Sequence, residues 1–462
     1  MRNLIFSRVF IYLFLGAFTT VRAQSWHNVG DACFSTGEPM YTRIVVDKHG
    51  TPYVGYSDYS LGLKAVVMKY DGSSWVSVGT PGFSRADIGN TSLALDTAGT
   101  PYMAYCSGNG HGLAVVKKYA DTGWVTVGVS GFSSDTISGI SIAIGRNDTP
   151  YVVFDDENDP LAGEGFATVM KFDGSAWVTV GSPRFSLNAV FSPVITIDSG
   201  GTPYVVYMDG AHGAKATVMK FDGTRWDSVG HTAFSAHYVY YPDIATGRHG
   251  EPYVVYCDGD SDKAIVMTWN GSNWVQVGSS PSADGCTYPG IAIDSAGTPY
   301  VSFLNYNPRT FRGASVSVVK YDGNSWISAG SGLPQGSSGY TSVAVDKAGT
   351  PYVVFDDSSA TCFYNARVMK LGAPSGLQST GVRASPVSIY PNPNNGSFSV
   401  DLSGLAEQDA WIIITNVLGE KMLEDTVPAR NNTPINLHIP PGFYFITTVT
   451  ERQRQTTKME VR

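Results

Sequence analysis

A sequence that recurs about every 50 residues carries tyrosine at one equivalent position in four of its copies. These tyrosines are Tyr41, Tyr241, Tyr288 and Tyr340, and the other copies carry Asn90, Gly139 and Ser192 there. Tyrosine presents a flat, amphipathic surface at modest entropic cost, which suits stacking against a sugar or another flat ligand. The same rings could instead pack between repeats as structural spacers. The pattern therefore has two interpretations, a ligand site and a structural cluster.

Alternating carboxylates in one loop form a candidate metal site. Asp258, Asp260 and Asp262 offer the hard oxygen atoms that calcium prefers. The loop does not continue as an EF-hand, because Lys263 and Trp269 occupy the positions that would need Gly and Glu. Solvated loop charge is the alternative explanation. Calcium is the one candidate cofactor that the sequence suggests.

Acidic residues also stand near the ends of the second predicted strands, at Asp58, Asp155, Asp209, Asp258 and Asp356. Paired carboxylates can hydrolyse glycosidic bonds. Because these residues recur with the repeat, we interpret them as turn or cap acceptors. The histidines lack zinc-ligand spacing, and there is no G-x-S-x-G or H-E-x-x-H motif. The sequence therefore suggests no catalytic residue.

The repeat itself predicts the fold. A Pro-Tyr step occurs seven times, at Pro52, Pro101, Pro150, Pro203, Pro252, Pro299 and Pro351. Each full repeat reads as four short strands with Asp-Gly and Gly-Thr-Pro turns between them. A period of this length with four strands is typical of a β-propeller blade. We predict an all-β, seven-bladed propeller over residues 24–372.

The two ends of the repeat region predict how the ring closes. The chain begins with a lone fourth strand at 26–30, and the last repeat has only three strands, at 341–346, 351–356 and 366–371. The lone strand would complete the last blade and remove an exposed sheet edge. A straight solenoid is the alternative, but it would need polar capping repeats at its ends.

The amino terminus and the composition indicate where the protein acts. Residues 1–23 have a positive start, an apolar stretch and small residues before a cleavage site, as in a signal peptide. That stretch is too short to span a membrane comfortably, and no other stretch of the sequence qualifies. The net charge of −8 argues against a nucleic-acid partner, since phosphate binding needs a basic surface. We therefore expect an exported protein without a transmembrane segment after signal removal.

Five cysteines allow two disulfides in an oxidising exterior. Cys33 and Cys362 both belong to the predicted closing blade, and Cys257 and Cys286 are both assigned to blade five. These pairings leave Cys106 outside both bridges. Five reduced, buried thiols are the alternative.

The carboxy-terminal segment differs in character from the repeats. A linker, residues 373–385, precedes residues 386–462, where the opening motif is Tyr390, Pro391, Asn392 and Pro393, followed by Gly396. A Leu-Gly-Glu-Lys turn and a Gly-Phe-Tyr strand come later. This segment resembles the type A C-terminal sorting domain of the Bacteroidetes type IX secretion system, and its alternating strands and turns indicate a small β-sandwich. The resemblance implies the type IX secretion machinery as a partner and a secreted or outer-membrane surface-attached location.

Two functions remain open from the sequence. The first is a propeller that binds an extracellular glycan or protein without catalysis. The second is an extracellular polysaccharide-degrading hydrolase or lyase on the same scaffold. An enzyme should break the repeat with unusual polar clusters, and the breaks here are modest. We therefore expect a binding module, with its site on the four tyrosines.

Overall fold

The computed structural model divides into two compact units, Met1–Pro374 and Ser375–Arg462, each of which is considered by itself. The predicted signal peptide and linker lie outside the residues that it describes. The described residues are 24–108, 112–159, 164–186, 188–307, 314–336, 339–359, 362–372, 388–402, 409–416, 420–428, 433–449 and 454–462.

The first unit contains seven four-stranded antiparallel sheets, which are the blades of a propeller. Short β-branched and aromatic runs form the strands, and Gly, Pro and Asp occupy the turns between them. From first to fourth strand, the blades are Pro39–Val46, Pro52–Asp58, Lys64–Tyr70, Trp75–Ser77 (blade one); Ile88–Leu95, Pro101–Ser107, Ala114–Ala120, Gly123–Thr126 (two); Ile137–Ile144, Pro150–Asp159, Glu164–Phe172, Trp177–Thr179 (three); Val190–Ile197, Pro203–Asp209, Lys215–Phe221, Trp226–Ser228 (four); Val239–Thr246, Pro252–Asp258, Ala264–Trp269, Trp274–Gln276 (five); Gly285–Ile293, Pro299–Tyr306, Ser315–Tyr321, Trp326–Ser328 (six); and Thr341–Val345, Pro351–Asp357, Asn365–Gly372, Ser25–Asn28 (seven). Short 3-10 turns occur at Tyr59–Leu61, Arg146–Asp148 and Gly210–His212.

The ring is closed. The first strand of each blade contacts the first strands of both neighbouring blades, and the contact between blades seven and one completes the circle. The amino-terminal strand pairs with the third strand of blade seven, placing Trp26 opposite Leu371. Trp26 is buried in the core that blades six and seven share. The predicted seven-bladed architecture and its closure by the amino-terminal strand are confirmed.

Adjacent blades are joined by a repeated tryptophan contact. In blades one to six, the indole Nε1 of the fourth-strand tryptophan donates to a valine carbonyl of the preceding blade, over 2.6–2.8 Å. In blades one to five, a connector phenylalanine stacks on the same indole at 4.1–4.5 Å between ring centroids. Trp26 differs, because its indole Nε1 is buried and has no hydrogen-bond partner among the described residues.

The two faces of the ring are formed by different connections between strands. The turns from first to second strand and from third to fourth strand lie on one face, which we call the turn face. The loops from second to third strand and the connectors between blades lie on the other, the loop face. On the turn face, aspartates accept turn N–H groups in repeat after repeat; Asp47 Oδ1, for example, accepts from His49 N and Thr51 N, both at 2.8 Å.

The first strands begin on the loop face with an irregularity that the sequence did not predict. In blade two the first strand starts at Ile88. A β-bulge interrupts the pairing of the first two strands in blades one to six. Five residues at the bulges have positive φ, namely Tyr41, Asn90, Ser192, Tyr241 and Tyr288. A bulge re-aims the side chain that it carries, and these side chains surround the mouth of the channel.

The second unit is a small β-sandwich. One sheet contains Ser388–Tyr390, Ser397–Asp401 and Thr433–Asn436, and the other contains Lys421–Pro428, Asp409–Asn416, Gly442–Val449 and Arg454–Val461. Their inner faces share one core, whose fully buried members include Val400, Ile412, Ile414, Ile446 and Met459. Within the described residues, no helix combines the length and apolar character needed to cross a membrane.

Candidate functional site

The four predicted tyrosines form one continuous row at the channel mouth. The ring centroids are 4.9 Å apart for Tyr41 and Tyr340, 4.6 Å for Tyr340 and Tyr288, and 4.5 Å for Tyr288 and Tyr241. Successive rings are tilted by 40–46° to each other. The side chains from blades one, seven, six and five therefore line an arc rather than packing separately between blades.

The row continues onto the surface through two tyrosines that the sequence analysis missed. Tyr240 lies 6.3 Å from Tyr241, and Tyr238 lies 5.4 Å from Tyr240 in an edge-to-face contact. Tyr238, Tyr240 and Tyr241 are 42–43% exposed, whereas Tyr41, Tyr288 and Tyr340 are half-buried. We call the six side chains together the aromatic row. The inner tyrosines cover one another's ring faces, so the ring surface that is accessible for stacking lies at the blade-five end of the row.

Local backbone features present this outer end. Tyr240 precedes the bulge residue Tyr241, and Tyr238 packs against the backbone of Gly259. A Cβ at Gly259 would approach the Tyr238 ring to 2.1 Å, so a larger residue at this position would displace the ring. The sequence signal for these two residues was available, because blade five reads His-Tyr-Val-Tyr-Tyr where the neighbouring repeats carry fewer aromatic residues.

The phenol groups of Tyr288 and Tyr340 remain protonated over the physiological range. Burial, followed by the neighbouring Tyr241, raises the pKa of Tyr288 to about 12. Burial and the hydroxyls of Tyr288 and Tyr41 raise the pKa of Tyr340 above its ordinary range. These two side chains thus offer neutral hydroxyl groups, which can both donate and accept hydrogen bonds.

Carboxylates stand beside the outer end of the row. The buried Asp258 accepts from Ser261 N and Ser261 Oγ and lies 3.0 Å from His237 Nδ1. Although burial opposes them, these hydrogen bonds and the nearby imidazole leave the pKa of Asp258 below its usual value. Asp260 is largely exposed, with a carboxylate oxygen 4.0 Å from His237 Nε2. Asp262 influences the pKa of both Tyr238 and Tyr306, so its charge is close to the aromatic surface.

The three carboxylates proposed for calcium do not converge as metal ligands. Asp258 turns inward to cap its own loop, and Asp260 faces solvent. In the described parts of the chain, no group of three His, Cys, Asp or Glu side chains could hold a metal ion. The arrangement of these three side chains therefore does not fit a calcium ion.

The structure corrects the repeat register of two aspartates. The position that recurs at the end of the second strand is occupied by Asp58, Asp156, Asp209, Asp258 and Asp357. Asp155 and Asp356 come one residue earlier, where other blades carry residues such as Ser57 and Leu304. They are therefore departures from the repeat and not cap residues that recur in each blade.

These two additional carboxylates are buried and form hydrogen bonds with the backbone where the first strands begin. Asp155 Oδ1 accepts from Ser138 N at 2.8 Å and Gly139 N at 2.7 Å, and burial raises its pKa to about 6. Asp356 Oδ2 accepts from Tyr340 N at 3.1 Å, and burial raises its pKa well above the usual value. Asp356 Oδ1 has no hydrogen-bond partner among the described residues. Both carboxylates are only 2–4% exposed and point at backbone, which suits positioning of the channel mouth rather than contact with a substrate.

A polar belt closes the channel below the row. Side chains two residues after Tyr340 and its equivalents in the other blades form hydrogen bonds to the first strand of the next blade. Ser342 Oγ accepts from Ile44 N, and Ser92 Oγ accepts from Ile142 N. Asp243 accepts from both Ile244 N and Ile291 N at 3.0 Å. Asp243 keeps some accessible surface inside the channel but is deeply enclosed, and this desolvation raises its pKa despite the nearby Arg43.

Two disulfides lie on the loop face. Cys33 is bonded to Cys362, which ties the connector after the amino-terminal strand to blade seven. Cys257 is bonded to Cys286. Cys286 belongs to the first strand of blade six, not to blade five as its sequence position suggested, so this disulfide joins two blades beside the outer end of the aromatic row. Cys106 is buried, and its thiol lies 3.0 Å from the carbonyl of Ile137.

The opening motif of the second unit is held by its own sheet. Asn392 Nδ2 donates to the carbonyl of Lys458 at 3.0 Å, and Asn392 Oδ1 accepts from Glu460 N at 2.9 Å. The peptide bonds that precede Pro391 and Pro393 are cis. Gly396 has a φ of +95°, and a Cβ there would lie 2.3 Å from a backbone carbonyl. Tyr390, in contrast, is 46% exposed.

Comparison with protein families identifies this unit. Residues 388–462 match the secretion system C-terminal sorting domain. These residues form a type IX sorting domain. The chain is accordingly a secreted or cell-surface protein of the Bacteroidetes type, and its sorting domain implies interaction with the secretion machinery.

Solved structures share the propeller fold at low sequence identity. A polysaccharide lyase described as an ulvan lyase has 12% identity and a TM-score of 0.51, with 75% of this chain and 95% of the lyase covered. A Trypanosoma rangeli sialidase (11% identity, 95% and 87% covered, TM-score 0.42) and the Aleuria aurantia lectin (15%, 63% and 97%, 0.39) align less well. At these identities the likeness shows the fold alone. No curated protein matches the sequence.

Proposed function

We propose that the chain is an extracellular glycan-binding propeller whose ligand site is the aromatic row on the loop face. The observation that carries the proposal is the outer end of the row, where three exposed tyrosines form one continuous surface on blade five. Exposed aromatic clusters of this kind are uncommon on soluble proteins without a binding role. Secretion places such a surface where extracellular glycans are found.

Several polar groups around the row suit sugar hydroxyls. Tyrosine hydroxyls can donate and accept, and the carboxylates of Asp260 and Asp262 can accept. The Cys257–Cys286 disulfide and the bulges fix the backbone beneath the aromatic surface, so little conformational entropy is lost when a ligand binds. This combination of an apolar ring face with polar groups at its edge favours a sugar over a purely apolar ligand.

The position of the buried carboxylates favours binding over catalysis. Three acids with raised pKa depart from the repeat, Asp155, Asp243 and Asp356, and each accepts hydrogen bonds from strand backbone. Asp155 and Asp356 are shielded from solvent. Glycoside hydrolysis needs two carboxyl groups that flank an accessible bond. These two acids stand in blades three and seven, which are separated by several blades of the ring.

A glycan array probed with the mature propeller, residues 24–372, tests the proposal. We expect retention of at least one extracellular polysaccharide and no release of reducing or unsaturated ends after prolonged incubation with it. The Tyr238→Ala/Tyr240→Ala variant should lose that retention while its melting temperature stays close to that of the parent, because both side chains are exposed. Product release would replace binding with catalysis, and unchanged retention by the variant would move the site elsewhere.

A further inference from the structure

The turn face carries cavities of its own, and they repeat. Three grooves of about 460–530 Å³ open where two blades meet, at the junctions of blades seven and one, one and two, and four and five. We call them the junction grooves. They lie on the face opposite the aromatic row, because turns from first to second strand line them and the row stands where the first strands begin.

Each junction groove is built from the same parts. The preceding blade supplies the tyrosine of the Pro-Tyr step, the lysine paired with it across the second and third strands, and a valine. These residues are Tyr352, Lys370 and Val29 in the first groove, Tyr53, Lys69 and Val78 in the second, and Tyr204, Lys220 and Val229 in the third. The following blade supplies a Pro-containing turn and an aromatic side chain from the end of its third strand, which is Tyr70, Tyr119 or Trp269. Three cavities of shared composition indicate a repeated site and not an accident of one loop.

The charges in each groove balance. The groove between blades one and two contains Lys69 and Lys118 with Asp96 and Asp121, and the groove between blades four and five contains Lys220 with Glu251. The Lys118 ammonium lies over the Tyr102 ring, 5.9 Å from its centroid, whereas Lys69 and Lys220 form no ion pair in the described parts of the chain. A balanced set of donors and acceptors favours a neutral polyhydroxyl ligand, whereas a polyanion would need an excess of positive charge.

Tyr53 and Tyr204 complete this set as donors, whereas the Tyr352 hydroxyl donates to the carbonyl of Gly50 at 3.4 Å. Burial, and next the nearby turn carboxylate Asp47, raises the pKa of Tyr53, and burial with Asp198 does the same for Tyr204. Their hydroxyls therefore stay protonated. The turn carboxylates keep one oxygen for the ligand, since Asp96 Oδ1 accepts from Ala98 N and Thr100 N while Oδ2 does not take part.

We infer that the junction grooves are a second, multivalent site, in which each groove takes one unit of a neutral polysaccharide. The aromatic side chain at the end of the third strand provides an apolar wall, and lysine, tyrosine and carboxylate groups reach the hydroxyls. Because several equivalent grooves surround one ring, weak sites can combine into strong retention on a polymer. This inference does not depend on the aromatic row.

Lysine variants separate the junction grooves from the aromatic row. Lys69 lines two grooves and Lys220 lines the third, so Lys69→Met/Lys220→Met removes an ammonium from each while keeping the apolar stem. Lys64→Met is the matched control, since Lys64 begins the same strand as Lys69 but lies at its loop-face end. All variants are made in the Tyr238→Ala/Tyr240→Ala background, which removes the outer aromatic surface.

The measurement is affinity electrophoresis of the propeller through gels that contain a neutral glucan, mannan, xylan or galactan, with polygalacturonate as the polyanion. We expect at least one neutral polymer to retard the Tyr238→Ala/Tyr240→Ala protein. We expect the double lysine variant to bind that polymer about tenfold more weakly and Lys64→Met to bind it unchanged. The junction-groove inference is wrong if no neutral polymer retards the Tyr238→Ala/Tyr240→Ala protein, or if the double lysine variant is retarded equally. Neither result would bear on the aromatic row. Retardation by polygalacturonate alone, abolished by salt, would overturn the neutral ligand class.

Discussion

The two faces of the ring differ in how closely they follow the repeat. On the turn face, the Asp turns, the Pro-Tyr steps and the tyrosine–lysine pairs recur from blade to blade, and the cavities between blades recur with them. On the loop face, one position holds tyrosine in four blades and Asn90, Gly139 or Ser192 in the others. The bulge at that position is part of the shared backbone of blades one to six, and Asn90 and Ser192 have the same positive φ as Tyr41, Tyr241 and Tyr288. The blades therefore share this backbone feature and differ in the side chain at this position.

This difference teaches where to look for function in a repeated fold. A residue that recurs in every blade is explained by closure of the ring or by a turn. A residue that departs from the repeat and remains exposed has no such explanation, and Tyr240 is the clearest case. Repeated sites give weak, multivalent contacts, whereas a departure from the repeat gives a single site.

The largest expected effect concerns closure of the propeller ring. Deleting residues 24–31 removes the fourth strand of blade seven and the buried Trp26. Loss of a buried tryptophan alone costs about 3–5 kcal/mol, and an open sheet edge adds to the damage. We expect insoluble protein or a melting temperature lower by roughly 10 °C or more.

The control for that deletion is truncation after Gly372, which removes the sorting domain and should leave the melting temperature of the propeller unchanged. In the native host the truncated protein should remain folded inside the periplasm, because export depends on the sorting domain. Equal melting of the strand deletion and the parent would contradict ring closure, and truncated protein outside the cell would contradict the role of the sorting domain.

The next effect compares two tryptophans of the frame. Trp226→Phe removes the 2.7 Å hydrogen bond to the carbonyl of Val180 and leaves that acceptor buried, which should cost about 1–3 kcal/mol in addition to lost packing. Trp26→Phe removes an indole N–H that has no partner among the described residues. Denaturant unfolding should show a clearly larger loss in the free energy of unfolding for Trp226→Phe than for Trp26→Phe. Equal losses would show that the indole hydrogen bond does not stabilise the propeller.

A smaller effect tests the buried carboxylate that departs from the repeat. The pKa of Asp155 in the folded protein is raised to about 6, above its usual 3.8, so its contribution to stability is present below pH 4 and lost as the pH rises through 6. Asp155→Asn does not titrate, and its oxygen can still accept from Ser138 N and Gly139 N. The variant should gain roughly 2–3 kcal/mol relative to the parent between pH 4 and pH 8.

Unfolding at a series of pH values checks this gain. Asp71→Asn is the control of opposite sign, because turn N–H groups hold the pKa of the exposed Asp71 below its usual value, and that stabilisation is present above pH 4. A stability difference for Asp155→Asn that does not change with pH would show that burial does not penalise the carboxylate.

The sequence was sufficient to predict the parts of the molecule that repeat. The Pro-Tyr period and the lone amino-terminal strand follow from local residue chemistry and were confirmed as the propeller and its closing strand. The sorting motif was predicted from its resemblance to a known family, and the family match confirmed it. Repeats can be compared with one another, so each copy supports the interpretation of the others.

What the sequence did not predict depends on register and on contacts between blades. The bulges shift the start of the first strand in blades one to six, and a shift of one residue separates Asp155 from Asp156 in role. The assignment of Cys286 to blade six depends on that same boundary. Tyr238 and Tyr240 join the aromatic row only through the turn of the strand above Gly259, which residue types alone do not reveal.

The most direct test of the aromatic row compares two exposed aromatic side chains at equivalent positions. Tyr240 and Phe191 both precede the bulge residue of their blades and are 42% and 40% exposed, but only Tyr240 belongs to the row. The measurement is a calorimetric titration of Tyr240→Ala and Phe191→Ala with the glycan that the array identifies, together with a melting curve for each variant. We predict about tenfold weaker binding for Tyr240→Ala, equivalent to about 1.4 kcal/mol, and a change of less than about twofold for Phe191→Ala, with similar melting temperatures. Equal effects of the two substitutions on affinity, or intact affinity in a destabilised Tyr240→Ala protein, would show that the row is part of the frame and not the ligand site.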